Sequence, residues 1–175
     1  MHIILEGADS SGKSTLAKRL ARDFRLLIKI SEGPPASQEE YEQRVVRYLG
    51  LPPFTICDRH PIISETIYSS VIPERVGCIA PPHHVNLFFD QCPLIIYCRR
   101  MNNTLAPQDG PSDTPEHVEQ VARHHDDIRE EYDDYFEATP HVRYTSTKEY
   151  PRIHAVVHNF MEIKLLSLYN LKVGG

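Results

Sequence analysis

Glu6-Gly7-Ala8-Asp9-Ser10-Ser11-Gly12-Lys13-Ser14-Thr15 is the stretch that decides how this chain folds. Before it runs the short apolar segment His2 to Glu6, which reads as a strand. After it, Leu16, Ala17, Leu20 and Phe24 recur at helical spacing, so a helix is expected from Lys13 to Phe24. A strand, a turn of the form G-x-x-x-x-G-K-S and an amphipathic helix together make a phosphate-gripping loop. Gly7 and Gly12 permit backbone angles that a side chain strains, so successive N–H groups can turn inward onto oxygen anions. The helix start at Lys13 adds unpaired N–H groups and the positive end of the helix dipole. Lys13 supplies a mobile cation for β- and γ-phosphates, and Ser14 offers a hydroxyl ligand to Mg²⁺. Gly7, Ala8, Asp9, Ser10, Ser11, Gly12, Lys13, Ser14 and Thr15 are therefore expected to hold the triphosphate of ATP.

Outward from this loop, short apolar runs alternate with helical patterns, the signature of βαβ units around a parallel sheet. Further strands are expected at Leu26 to Ile30, Phe54 to Cys57, Leu94 to Cys98 and His141 to Thr145. Between Leu26–Ile30 and Phe54–Cys57, Ser37 with Glu40 reads as a capping box and Gly50 as the stop of a helix whose stripe is Tyr41, Val45, Tyr48 and Leu49. A helix after Asp58-Arg59-His60 must stop by Pro73, and another covers His83 to Cys92. One long helix is expected from Pro115, with Val118, Val121, Ala122, His125, Ile128, Tyr132 and Tyr135 along one side. The last runs from Pro151 to about Asn170. The expected architecture is α/β: a single domain over residues 1–175, five parallel strands flanked by helices in three layers. Residues 99–115 lack periodicity and contain Pro107, Gly110 and Pro111, so they read as a lid.

Composition narrows the partners. The net charge of −5 argues against nucleic acid or an anionic membrane as a partner of the whole surface. No apolar run approaches the roughly 20 residues that span a bilayer, and Glu6, Asp9 and Lys13 interrupt any signal-peptide pattern. Cys57, Cys78, Cys92 and Cys98 form no C-x-x-C pair and lie in or beside apolar stretches, which suits reduced, buried thiols in a cytoplasmic protein. His124-His125-Asp126-Asp127 does not read as a metal site, because neighbouring helical side chains diverge by about 100°.

Asp58 and Arg59 leave the third strand at the sheet edge where open parallel sheets bind ligands. A carboxylate there can hold Mg²⁺ through water, and a guanidinium can fork onto an acceptor phosphate. Arg99 and Arg100 stand where the fourth strand meets the lid, placed to meet charge developing on a moving phosphoryl group. Arg123 could join them, although Glu119 and Asp127 lie four residues to either side and offer it surface pairs.

The loop Glu6 to Thr15 resembles the E-G-x-D-x-x-G-K-S-T element of thymidylate kinases. Asp58-Arg59 is similar to that family's D-R-Y/F motif, Ser64 and Tyr68 to its following serine and tyrosine, and Ser31-Glu32-Gly33-Pro34 to its R-E-P-G turn. His60 stands in place of the aromatic, Ser64 lies one position late, Ser31 replaces the arginine, and the phosphate loop itself holds no arginine. The resemblance implies a (deoxy)nucleoside monophosphate kinase using ATP and Mg²⁺ on a small nucleotide such as dTMP, working as a homodimer. Together with the readings above, catalysis is expected of Lys13, Arg59, Asp58, Arg99 and Arg100, and metal ligation of Ser14 and Asp58. Asp9, Glu32, Arg59, Ser64 and Tyr68 would touch the acceptor, and Arg123 the donor nucleotide. Three other readings compete: a deoxynucleoside kinase using Glu32 or Asp58 as base, a polynucleotide end kinase, and a nucleotide-dependent switch.

Overall fold

The computed structural model describes residues 2–99 and 114–173. Strand β1 (His2–Glu6) leads into helix α1 (Lys13–Phe24), then β2 (Ile28–Ile30), α2 (Gln38–Leu49), β3 (Thr55–Asp58), α3 (Pro61–Val71), α4 (Pro82–Asp90) and β4 (Leu94–Cys98). After residue 113 come α5 (Pro115–Arg123), α6 (His125–Ala138), β5 (Val142–Tyr144) and α7 (Tyr150–Val173). The strands form one all-parallel sheet in the order β2-β3-β1-β4-β5. β1 is central and buried on both faces, which explains why it is apolar without alternation.

Each face of the sheet carries its own core. Ile3 and Leu5 pack with Leu16 and Leu20 of α1 and Ile153 and Val157 of α7. Ile4 points the other way, into a cluster with Tyr41 and Val45 of α2, Ile63 and Tyr68 of α3, Phe88 of α4 and Ile128 and Tyr132 of α6. The three layers are thus α1 and α7, the sheet, and α2 to α6. No described helix is long and apolar enough to cross a membrane.

Several boundaries differ from expectation for physical reasons. The Ser37 hydroxyl does accept the Glu40 N–H at 3.1 Å, but the Glu40 carboxylate reaches past the cap to the Ala36 N–H at 2.8 Å. The helix expected to run unbroken from Pro115 is two helices. His124, at φ −106° and ψ 15°, caps both, and the joint keeps Val121, His125 and Ile128 buried. Cys57, Cys78 and Cys98 are buried and free, whereas Cys92 is exposed. It sits just beyond α4 at φ 47°, so the turn carries its thiol off the apolar face.

Candidate functional site

The site grows from the carboxyl ends of the adjacent strands β1 and β3. Gly7 has φ 138° and Gly12 φ 91°, the positive values that the loop needs to turn back on itself before α1. The Lys13 ammonium lies inside that loop, donating to the carbonyls of Gly7 and Ala8 at 2.8 Å each and to the Ser11 hydroxyl at 3.2 Å. Burial, and then the nearby Arg59 cation, pull its pKa down to about 8. Beside it the Ser14 hydroxyl donates to Asp58 Oδ2 at 2.5 Å, tying the start of α1 to the end of β3.

Arg59, next along, adopts φ 72°. One of its terminal nitrogens donates to Asp9 Oδ1 at 2.7 Å and to the Tyr68 hydroxyl at 2.6 Å, while that hydroxyl donates to Asp9 Oδ2 at 2.6 Å. The three residues form a closed triangle between the phosphate loop, the β3 exit and α3. Desolvation pushes the Asp9 carboxyl up, but the Arg59 and Lys13 cations and the Tyr68 hydroxyl reverse it and hold Asp9 well below the usual carboxylate range. Tyr68 itself is driven far above the usual phenol range by burial, so it remains a neutral donor.

Beyond Tyr68 the polar network continues through residues the sequence patterns did not single out. Arg75 has its guanidinium 4.6 Å from the Tyr68 ring centre, against 4.8 Å for Arg59, and pairs with Glu65 at 3.2 Å. Arg44 of α2 donates to the Gly33 carbonyl at 2.5 Å and to Glu40 at 2.8 Å, and lies 3.8 Å from the other Glu65 oxygen. Glu32 is held by Lys29 at 2.7 Å and Arg47 at 2.9 Å. Its desolvation is outweighed by these cations, which lower its pKa. On the core side of the loop, Glu6 is fully buried. It accepts the His60 N–H at 2.6 Å and the Tyr132 hydroxyl at 3.0 Å. Burial raises its pKa to about 7.

The structure therefore gathers Asp9, Lys13, Ser14, Asp58, Arg59 and Tyr68 on one rim, with Glu32 linked to Tyr68 through Arg44, Glu65 and Arg75 in turn. Other candidates stand elsewhere. The Ser64 hydroxyl is buried and donates back to the His60 carbonyl inside α3. Arg99 forks onto Asp133 of α6 at 2.7 and 3.0 Å, and Arg123 is an exposed partner of Glu119 at 3.3 Å. Arg100 and residues 100–113 of the expected lid lie outside the described residues. Of the residues that were missed, Glu6 carried a readable signal: a carboxylate at the end of a doubly buried strand needs partners. Arg44, Glu65 and Arg75 are joined by contacts distant in sequence and leave no periodic trace.

No family model and no curated protein matches the sequence. Solved structures do. The YorR protein of Bacillus subtilis, solved in complex with phosphorylated GDP, is 16% identical with a TM-score of 0.63, over 94% of this chain and 97% of that one. A deoxyadenosine kinase of M. mycoides is 13% identical with a TM-score of 0.47, covering 93% and 98% of the two chains. A thymidylate kinase of Ehrlichia chaffeensis is 16% identical with a TM-score of 0.45, covering 92% and 98%. The fold is that of a P-loop nucleoside monophosphate kinase-like α/β protein. A fold by itself assigns no substrate.

Proposed function

We propose that this chain transfers the γ-phosphoryl group of ATP to the phosphate of a (deoxy)nucleoside monophosphate, with dTMP the first acceptor to test. The observation that carries the reading is the Lys13 ammonium held within the loop by two main-chain carbonyls, 2.8 Å from each. Those oxygens accept the ammonium N–H groups where phosphate oxygens would take over as acceptors, so the ammonium is already placed for a polyanion. Ser14 and Asp58 supply hard oxygen donors side by side, a set suited to Mg²⁺ rather than to a soft metal. Bound there, Mg²⁺ would offset the charge of the β- and γ-phosphates.

The chain's own residues then divide the work. Main-chain N–H groups of residues 7–15 and Lys13 orient the donor phosphates, and Arg59 draws in the acceptor phosphate. Asp9 and Tyr68 fix the plane of that guanidinium. A phosphate acceptor suits this chemistry better than a 5′-hydroxyl. A phosphomonoester is largely ionised near neutrality, its second pKa being about 6, so positioning and charge stabilisation suffice. A hydroxyl acceptor benefits from a carboxylate base, yet Glu32 is tied to two cations that depress its pKa. To residues 99–115 we assign the lid role, and to Arg100 a cation brought by it. The working form is a homodimer in the cytoplasm.

The test is a steady-state screen of deoxy- and ribonucleoside monophosphates and the matching nucleosides with MgATP. Turnover on a monophosphate is expected; turnover on nucleosides alone would refute the acceptor assignment. Hydrolysis unaffected by either acceptor would point instead to a nucleotide-dependent switch.

A further inference from the structure

We infer that Glu6 is the positioning residue for the acceptor arginine, Arg59. The inference rests on the kinase reading above for Arg59's role, but its geometric part stands alone. Arg59 has φ 72°, a left-handed backbone that arginine seldom adopts and that its surroundings must enforce. Both peptide N–H groups flanking that residue are gripped by β1. The Arg59 N–H donates to the Leu5 carbonyl at 2.9 Å, and the His60 N–H donates to Glu6 Oε1 at 2.6 Å. Leu5 supplies a main-chain oxygen that any residue would supply. Glu6 alone contributes a side chain, and it lies fully buried in the central strand.

A buried carboxylate is costly unless its oxygens are satisfied. The second oxygen of Glu6 accepts the Tyr132 hydroxyl at 3.0 Å, so α6 closes the arrangement from the far side. The Tyr132 ring meets Tyr68 edge-on, with centroids 6.2 Å apart, and the Tyr68 hydroxyl bonds Arg59 and Asp9. Glu6 thus reaches Arg59 by two routes, through the backbone at His60 and through the tyrosine pair. Among the described residues the buried Arg59 Nε has no hydrogen-bond partner, so none of them restrains the side chain through that nitrogen. Its direction is set by the turn and by the Asp9–Tyr68 pair. Loosening the turn should misdirect the guanidinium while leaving Lys13 and the phosphate loop in place.

The experiment compares Glu6→Asp, Glu6→Gln and Tyr132→Phe with the parent chain. Aspartate keeps the charge but is one methylene too short to hold the His60 N–H. Glutamine loses the charge but keeps the reach and an acceptor oxygen. Glu6→Asp is expected to raise the KM for the monophosphate at least about tenfold, the scale of one hydrogen bond to a charged group. The KM for ATP should stay within about twofold, and Glu6→Gln should restore most of the acceptor affinity. Tyr132→Phe, which removes only one hydroxyl, covers the case in which Glu6→Asp does not fold; its acceptor KM should rise in the same selective way. Equal loss for ATP and acceptor, or an unchanged acceptor KM, overturns the inference. A second readout needs no turnover: the Arg59 Nε–H resonance should move in Glu6→Asp and keep its position in Glu6→Gln. An Arg59 signal indifferent to both changes rejects the positioning role, even if no monophosphate proves to be a substrate. Absence of any turnover by the parent chain rejects only the kinase reading.

Discussion

Replacing Gly7 by alanine tests the loop geometry independently of catalysis. A Cβ at Gly7 would lie 2.3 Å from the Cys98 carbonyl oxygen, 3.2 Å from its carbon and 3.1 Å from the Ser11 hydroxyl. The nearest of these atoms is main chain at the end of β4, which pairs with β1, so it cannot swing away. Relief requires the loop and β4 to part by about 1 Å, at an overpacking cost of about 1–3 kcal/mol. The φ of 138° adds backbone strain, worth about 1–2 kcal/mol for a residue with a Cβ. Together the loss is about 2–5 kcal/mol against a domain stability of about 5–15 kcal/mol. Gly12 is the internal control. It too has a positive φ, 91°, but among the described residues nothing lies within 4 Å of its added Cβ. Only the strain remains there, about 1–2 kcal/mol. Urea denaturation followed by far-ultraviolet circular dichroism measures both. Gly7→Ala should lose about 1–3 kcal/mol more than Gly12→Ala. Equal losses would refute the claim that the loop packs directly against the β4 terminus.

The remaining predictions concern charge. Lys13→Met should abolish phosphoryl transfer, yet leave the melting temperature unchanged or raised, because burial holds the Lys13 pKa near 8, below its unfolded value of about 10.5; a clear fall in melting temperature would show the ammonium to be structural. Its desolvation penalty is fully present below pH 8 and fades as pH rises toward 10.5, so the advantage of Met should shrink over that window. His60 is buried between Tyr48 and Phe88 with its pKa lowered to about 3, so it must stay neutral to fold. Its contribution is whole above the unfolded pKa of about 6.5 and erodes as pH falls, by about 2 kcal/mol at pH 5. Denaturation of His60→Phe and the parent at pH 7 and pH 5 should show the parent losing about 2 kcal/mol more; parallel losses would disprove it. Arg59→Ala should weaken acceptor affinity about 10- to 100-fold with ATP affinity held, as titration calorimetry with each nucleotide would show; collapse of ATP binding instead would reassign Arg59 to the donor side.

Much of this arrangement was legible because the phosphate loop is governed by local rules. Two glycines at positive φ and a lysine opening a helix need no knowledge of the rest of the chain. The position of Asp58 and Arg59 was readable for a different reason: an apolar run that reads as a strand ends there, and β3 does end at Asp58, beside β1. What escaped were pairings set by tertiary approach. Arg99 reads as a phosphate-facing cation until α6 brings Asp133 within 2.7 Å, across 34 positions of sequence. The joint at His124 is invisible to periodicity because the buried stripe passes through it without a phase break. At β2 the expected Leu26 to Ile30 shrinks to Ile28–Ile30, since an edge strand has one neighbour to pair with.

Under the proposed function the residues divide into those that would touch anions and those that would aim them. Lys13 and Ser14 stand on α1, whose start is fixed by the loop, so their placement follows from β1 and two glycines. Arg59 stands on a strained turn whose geometry is borrowed from elsewhere: Leu5 and Glu6 of β1, Tyr132 of α6, Asp9 and Tyr68 at its tip. A motif of two letters, aspartate then arginine, is therefore held in shape by four separate elements that converge on it. The same logic locates tolerance to change. Substitutions on the exposed face of α1 should leave donor binding intact, whereas a conservative change at buried Tyr132, far from Arg59 in sequence, should reach the acceptor.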